Sequence, residues 1–221
     1  MHGRLEFAAV LEQPLVTRVP PIRQGLARDS SMDSDEALVH ASQRGDTEAF
    51  GQLYRRYARM VHGVLLSRVQ TAEIEDLVQD VFVRALPRLG GLRDAGRFGP
   101  WLAAIARNLA VDFHRRMHLR NEGRDGSAEL EEHAAKGTAS DRREAAEIME
   151  CIRALPEAYR ETLILRLVEG MNGPEIAERT GLQPGSVRVN LHRGMQQLRE
   201  KLAQRGASAP SGLSGEGRTQ V

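Results

Sequence analysis

"GPEIAERTGLQPGSVRVNLHRG", residues Gly173 to Gly194, reads as a short helix, a glycine turn and a second helix with arginine on its outer side. Asn172 and Glu175 have the spacing of a capping box ahead of Ile176 and Ala177, which starts the first helix. Gly181, within "RTGL", sits where the chain must bend sharply before the second helix. At 100° per residue, Val187, Leu191, Met195, Leu198 and Leu202 share one apolar sector of that helix, while Arg188, Val189, His192, Arg193, Gln196 and Arg199 project elsewhere. Between Pro184 and Arg205, five cations (Arg188, Arg193, Arg199, Lys201 and Arg205) are opposed by Glu200 alone. That local charge suits phosphate contacts, and a helix fits the major groove of DNA. A solvated amphipathic helix in an ordinary bundle is the other reading of this segment alone. The order of short helix, tight turn and long helix favours a helix-turn-helix.

The rest of the chain fits an all-α protein. It has 221 residues, 41% apolar and only 4% aromatic, which suits small helical bundles packed with Leu, Ile, Val and Ala. The net charge is +1, so nucleic-acid binding must come from where arginines cluster rather than from a polycationic whole. A single cysteine, Cys151, excludes a disulfide framework within the chain and is consistent with the cytoplasm. No stretch approaches the length of a membrane span, and Glu6 and Glu12 interrupt the apolar run at the start, making it a poor secretory signal.

Residues 1–31 read as a flexible extension, with a second possible translation start at Met32. A short helix over 36–42 is followed by one carrying Phe50, Leu53, Tyr54, Tyr57, Val61, Val64 and Leu65 at helical spacing. A third, over 73–86, presents Ile74, Leu77, Val78, Val81, Phe82 and Ala85, and is ended by Pro87 and the Gly90–Gly91 pair. After a loop, Pro100 opens a fourth helix with Trp101, Leu102, Ile105, Leu109 and Phe113 on its buried side. Trp101 reads as the largest core anchor of that helix rather than a base-stacking platform. These segments define one bundle, 32–117. Apolar periodicity vanishes over 118–140, as in a flexible linker, and a second helical domain occupies 141–205. There Asp141 and Glu144 resemble a capping box, and Tyr159, Leu163, Ile164 and Leu167 form the inside of a helix begun after Pro156. A disordered tail is expected over 206–221. The linker leaves the two modules free to wander unless a partner fixes both.

The order of these motifs resembles the extracytoplasmic-function (ECF) group of sigma factors in the sigma-70 family. "RGDTEAFGQLYRRY" looks like the family's first helix pair, "DLVQDVFVRAL" like its core-polymerase-binding helix, and "RFGPWLAAIARNLAVDFHRR" like the helix that handles the promoter −10 element. The segment from Leu155 to Leu202 looks like the module that reads the −35 element. The resemblance implies two small helical domains, region 2 and region 4, that bind core RNA polymerase through its beta-prime clamp helices and beta flap. It implies Asp76, Gln79 and Asp80 as polymerase-binding residues. It further implies Leu92, Arg93, Arg107, Asn108, Asp112, Arg115 and Arg116 at the −10 element, with Asn108 as polar partner of a flipped base. For the −35 element it implies Ser186, Arg188, Val189, His192 and Arg193. Many such proteins are held by an anti-sigma factor, a further partner the resemblance allows. Leu92 departs from the aromatic residue common in the family, and Gln183 from its usual Ser or Thr helix cap.

No catalytic residue, cofactor or metal is expected: no nucleophile elbow, phosphate-binding glycine loop or HExxH motif occurs, and His114 and His118 lack a carboxylate at ligand spacing. The rival to a sigma factor is a helix-turn-helix regulator that dimerises on palindromic sites.

Overall fold

A computed structural model describes residues 34–70, 73–121 and 139–208. All regular structure among them is helical. The expected extension over 1–31, the possible start at Met32 and most of the expected linker and tail lie outside the described residues. Helix α1 (Asp35–Gln43) starts at Ser34, whose side chain accepts the Ala37 N–H, and α2 (Thr47–Leu66) starts at Asp46, which accepts from Glu48 and Ala49. Helix α3 (Ile74–Ala85) runs into a 3-10 turn over Leu86–Gly91, with Pro87 in its first turn. The segment expected to be loop contains a second 3-10 turn, Ala95–Arg97, and α4 (Phe98–Asn121) already includes Phe98 and Gly99. It also runs four residues beyond the expected end of the bundle. Phe98, Leu102, Leu109, Leu53, Met60 and Leu65 are fully buried at the centre of this bundle. Each contributes roughly 1.5–3 kcal/mol through area removed from water.

In the second module, α5 (Ala139–Arg153) begins two residues before Asp141, which therefore lies inside the helix rather than at its cap. Helices α6 (Glu157–Leu167), α7 (Gly173–Thr180) and α8 (Pro184–Ser208) follow. The last of these carries three residues of the expected tail. The Asn172 side chain accepts the Glu175 N–H at 2.9 Å, the expected cap of α7, and Gly181 holds the turn at φ 75°, a left-handed conformation that favours glycine.

Helix α6 departs from the expected pattern. Tyr159 and Leu167 are only half-buried, whereas Glu161, Thr162 and Leu165 are buried with Leu163 and Ile164. The reason is that α6 is covered on two sides. Leu163 and Ile164 join Cys151, Ile152, Leu155 and Leu198 in the core of the second module. Leu165, with Met171, Ile176, Ala177 and Val187, belongs instead to the core of the first. The modules therefore do not wander in this structure. They share one apolar seam, in which α6 lies on α2 and α7 on α4.

Candidate nucleic-acid interface

Along α8, Val187 and Leu198 are buried and Leu191 and Met195 half-buried, which fixes the helix by its apolar sector. Ser186, Arg188, Val189, His192 and Arg193 are all exposed on the remaining surface. Val189 is 44% exposed, unusual for its chemistry and suited to an apolar contact outside the fold. The five residues occupy the first ten positions of α8, immediately after the turn at Gly181. This is where a helix-turn-helix presents side chains to base edges.

On the first bundle, Asp76, Gln79 and Asp80 are exposed together on α3, opposite the buried Leu77, Val78 and Val81. Their i, i+3, i+4 spacing makes one acidic patch. The sites expected to face the −10 element are more varied. Arg93, Asn108, Arg115 and Arg116 are exposed, Leu92 packs against the core, and Asp112 pairs with Arg84 at 3.3 Å. The Leu92 segment is tied down: the Gln43 side-chain amide donates to the carbonyls of Leu89 and Leu92, each at 3.0 Å. Asp94 accepts the Gly96 N–H at 3.1 Å. The Nε2 of His114 lies 2.8 Å from the Arg68 carbonyl oxygen.

Arg107 is engaged elsewhere. Its guanidinium donates two hydrogen bonds to Glu161 of α6, from Nη2 to Oε1 at 2.6 Å and from Nε to Oε2 at 3.2 Å. Arg68 donates to the same carboxylate at 2.7 Å and also pairs with Glu157. Burial alone would raise the Glu161 pKa, but the bonds and charge of Arg107, then Arg68, outweigh it and hold the carboxyl below its ordinary value. At the other end of the seam, His62 of α2 donates through Nδ1 to Glu169 at 2.6 Å, and its Nε2 is 3.8 Å from Glu75 of α3. Burial pushes His62 down. Glu169, supported by Glu75, more than offsets this and leaves the imidazole above its ordinary value. Arg59 donates to the Glu169 carbonyl, and Arg179 of α7 donates to the Arg56 carbonyl at 2.5 Å while lying over the Tyr57 ring.

Glu161, Glu169, His62, Arg68 and Arg179 were not distinguishable as functional in the sequence. One available sign was that Glu161 lies one helical turn before Leu165 and so shares its face of α6. Among the described residues, no cluster of His, Cys, Asp or Glu could hold a metal ion, and no helix is long and apolar enough to cross a membrane.

An exposed basic helix after a tight turn, joined to a bundle with an acidic patch and a polar edge, defines a two-module DNA-binding protein. Comparison with known proteins narrows this. Residues 53–120 match the Sigma-70 region 2 family, and residues 145–198 match Sigma-70, region 4. The chain is 32% identical over 180 residues to the ECF RNA polymerase sigma factor BldN of Streptomyces coelicolor, covering 77% of this chain and 68% of that protein. It is 34% identical over 165 residues to the RNA polymerase sigma factor CarQ of Myxococcus xanthus, covering 72% of this chain and 92% of the relative. The solved structure of CnrH in complex with the cytosolic domain of CnrY is similar with a TM-score of 0.55 and 26% identity, over 80% of this chain and all of CnrH. The chain belongs to the sigma-70 family, in its ECF group.

Proposed function

We propose that this protein binds core RNA polymerase, carries it to promoters with two distinct elements and helps hold the −10 region open at the start of transcription. The observation that carries the proposal is the joint presence, in one chain, of the exposed α8 face and the exposed α3 patch on the two matched sigma modules. Asp76, Gln79 and Asp80 are assigned to the clamp helices of the polymerase. A second contact is assigned between the second module and the beta flap. Arg188 pairs with a guanine edge of the −35 element, Val189 meets a thymine methyl group, His192 faces a base edge, and Ser186 and Arg193 hold phosphates. Asn108 serves a base flipped from the −10 element, with Arg93, Arg107, Arg115 and Arg116 around the opened strand, and Leu92 and Asp112 shaping its edge. The chain supplies no catalytic group; polymerisation belongs to the core enzyme, and the site of action is the cytoplasm. CnrH was solved with the cytosolic domain of CnrY, and an anti-sigma factor is the corresponding candidate partner here.

The test is run-off transcription on a fragment library with purified core polymerase, with and without this protein, followed by sequencing of the new 5′ ends. New starts sharing two unlike upstream motifs are expected. No new starts, together with selection of a palindrome by the protein alone, would replace this reading with that of a dimeric regulator.

A further inference from the structure

We propose that Arg44 and Arg88, with Arg93, grip the phosphate backbone of promoter DNA beside the −10 element, and that Gln43 is the positioning residue that assembles this grip. This rests on the promoter reading above and adds Gln43, Arg44 and Arg88 to the residues that serve DNA.

Gln43 ends α1 and is half-buried. Its side-chain nitrogen lies 3.0 Å from both the Leu89 and the Leu92 carbonyl oxygens, 46 and 49 residues along the chain. Carbonyls only accept, so the amide NH2 group must face them. The amide oxygen is then left to accept from Nδ1 of His40, 3.1 Å away on the same helix. Leu89 is itself buried, and its carbonyl also accepts the Leu92 N–H at 3.0 Å. One side chain thereby ties the end of α1 to the 3-10 turn that leads into the −10 segment.

This knot brings three arginines together. Arg44 follows Gln43, Arg88 precedes Leu89 and Arg93 follows Leu92. Traced through the hydrogen bonds, the Cα atoms of Arg44 and Arg88 are at most about 18 Å apart, and those of Arg44 and Arg93 at most about 15 Å. The longer span equals about five nucleotides along one strand of duplex, at about 3.4 Å each. All three arginines are exposed. Elsewhere on this bundle Arg55, Arg56, Arg68, Arg84 and Arg107 are engaged by carboxylates. Among the described residues, Arg44, Arg88 and Arg93 pair with none. Glu36 and Asp94 face Gly96 instead: Asp94 accepts its N–H at 3.1 Å, and a Cβ there would lie 2.9 Å from Glu36 Oε1.

Exposed cations without internal partners suit a ligand whose anions repeat along a line, as those of a nucleic-acid backbone do. Leu92 and Arg93 already belong to the −10 segment, so the grip is continuous with that site. The α3 patch of Asp76 and Asp80 repels such a ligand, which leaves the arginine end of the bundle to receive it.

The experiment measures holoenzyme binding to a promoter fragment found by run-off mapping, from about 50 to 200 mM salt. It compares the wild type, the double variant Arg44→Gln with Arg88→Gln, and Gln43→Leu. Each phosphate contact adds about 0.7 on a single strand, or about 0.9 on duplex, to the slope of log affinity against log salt. The double variant should therefore lose about 1.4–1.8 of that slope, and its deficit against the wild type should narrow about tenfold across the range. The loss should be the same on promoters that differ in −10 sequence, because phosphates carry no sequence information. Gln43→Leu keeps both cations and loses the two donors. It should lower the slope by less, with circular dichroism and co-purification with core polymerase unchanged.

An unchanged slope in the double variant would overturn the grip, and a wild-type slope in Gln43→Leu would overturn the positioning role. Loss of co-purification in the double variant would give the arginines to the polymerase instead, and a loss confined to one −10 sequence would give them to bases; either refutes the proposal. Because Arg44 and Arg88 are exposed, their replacement leaves the fold intact and tests the grip whatever Gln43→Leu does to the bundle. If the wild-type holoenzyme selects no promoter, the promoter reading falls and the grip with it. If it does select one, failure of the variants counts against the grip alone.

Discussion

Replacing Glu161 tests whether the seam contributes to the cohesion of the protein. Glu161 is 4% exposed, and its carboxylate accepts two bonds from Arg107 and one from Arg68. Removing one member of a fully buried pair costs about 3–5 kcal/mol, because the other charge is left without its partner. The arginine side chains here are 26% and 15% exposed, and Arg68 retains Glu157, so Glu161→Gln should cost less, about 2–3 kcal/mol. A double-mutant cycle with Arg107→Gln, read by urea denaturation of the full chain, isolates the part that links α6 to α4. Coupling of about 1–2 kcal/mol is expected, since the two residues share hydrogen bonds as well as charge. Coupling below about 0.3 kcal/mol would mean that the modules do not meet in solution, and the seam would have no energetic content.

Further outcomes follow from the same geometry. His62, which faces Glu169 from the α6–α7 turn and Glu75 from α3, has a pKa raised by folding, so its stabilisation is complete below 6.5 and is lost as pH rises through the raised value. Urea midpoints of the wild type should accordingly fall between pH 6 and pH 8 relative to those of His62→Gln; parallel profiles would refute this. Glu161 has the opposite sign: its contribution is present above 4.5 and declines as pH falls through its lowered value, so Glu161→Gln should lose less stability on acidification than the wild type. Arg188→Ala should cost about 1–3 kcal/mol of holoenzyme affinity and relax preference at one −35 position, whereas uniform weakening across sequences would reassign Arg188 to phosphate. Charge reversal at Asp76 and Asp80 should abolish co-purification with core polymerase without altering the circular dichroism of the free chain, and retained co-purification would remove the α3 patch from that role.

Much of the fold was legible because its signals are local. The Asn172 cap, the left-handed Gly181 and the apolar stripes of α2, α3 and α4 each follow from residues a turn or two apart. The exposed face of α8 was legible for the same reason, since burying Val187 and Leu198 leaves Arg188 and His192 outward. The seam was not legible. Its members, Gly63 with Leu165, His62 with Glu169 and Arg107 with Glu161, are far apart in the chain, so no local spacing pairs them. The apolar stripe read for α6, Tyr159, Leu163, Ile164 and Leu167, was incomplete because that helix is covered on two sides, which also buries Leu165 and Glu161. The helix start at Ala139 was obscured because Asp141 and Glu144 have capping spacing inside a helix that had already begun.

The central claim, that one chain brings polymerase to a promoter and holds it open, is tested most directly by permanganate footprinting of unpaired thymines. A promoter found by run-off mapping would be treated with the core enzyme, with this protein, or with both. Reactivity in the −10 region only when both are present is the predicted result, with loss of reactivity when Asn108 is replaced by Ala. Reactivity with the core enzyme alone, or none with both, would contradict the account.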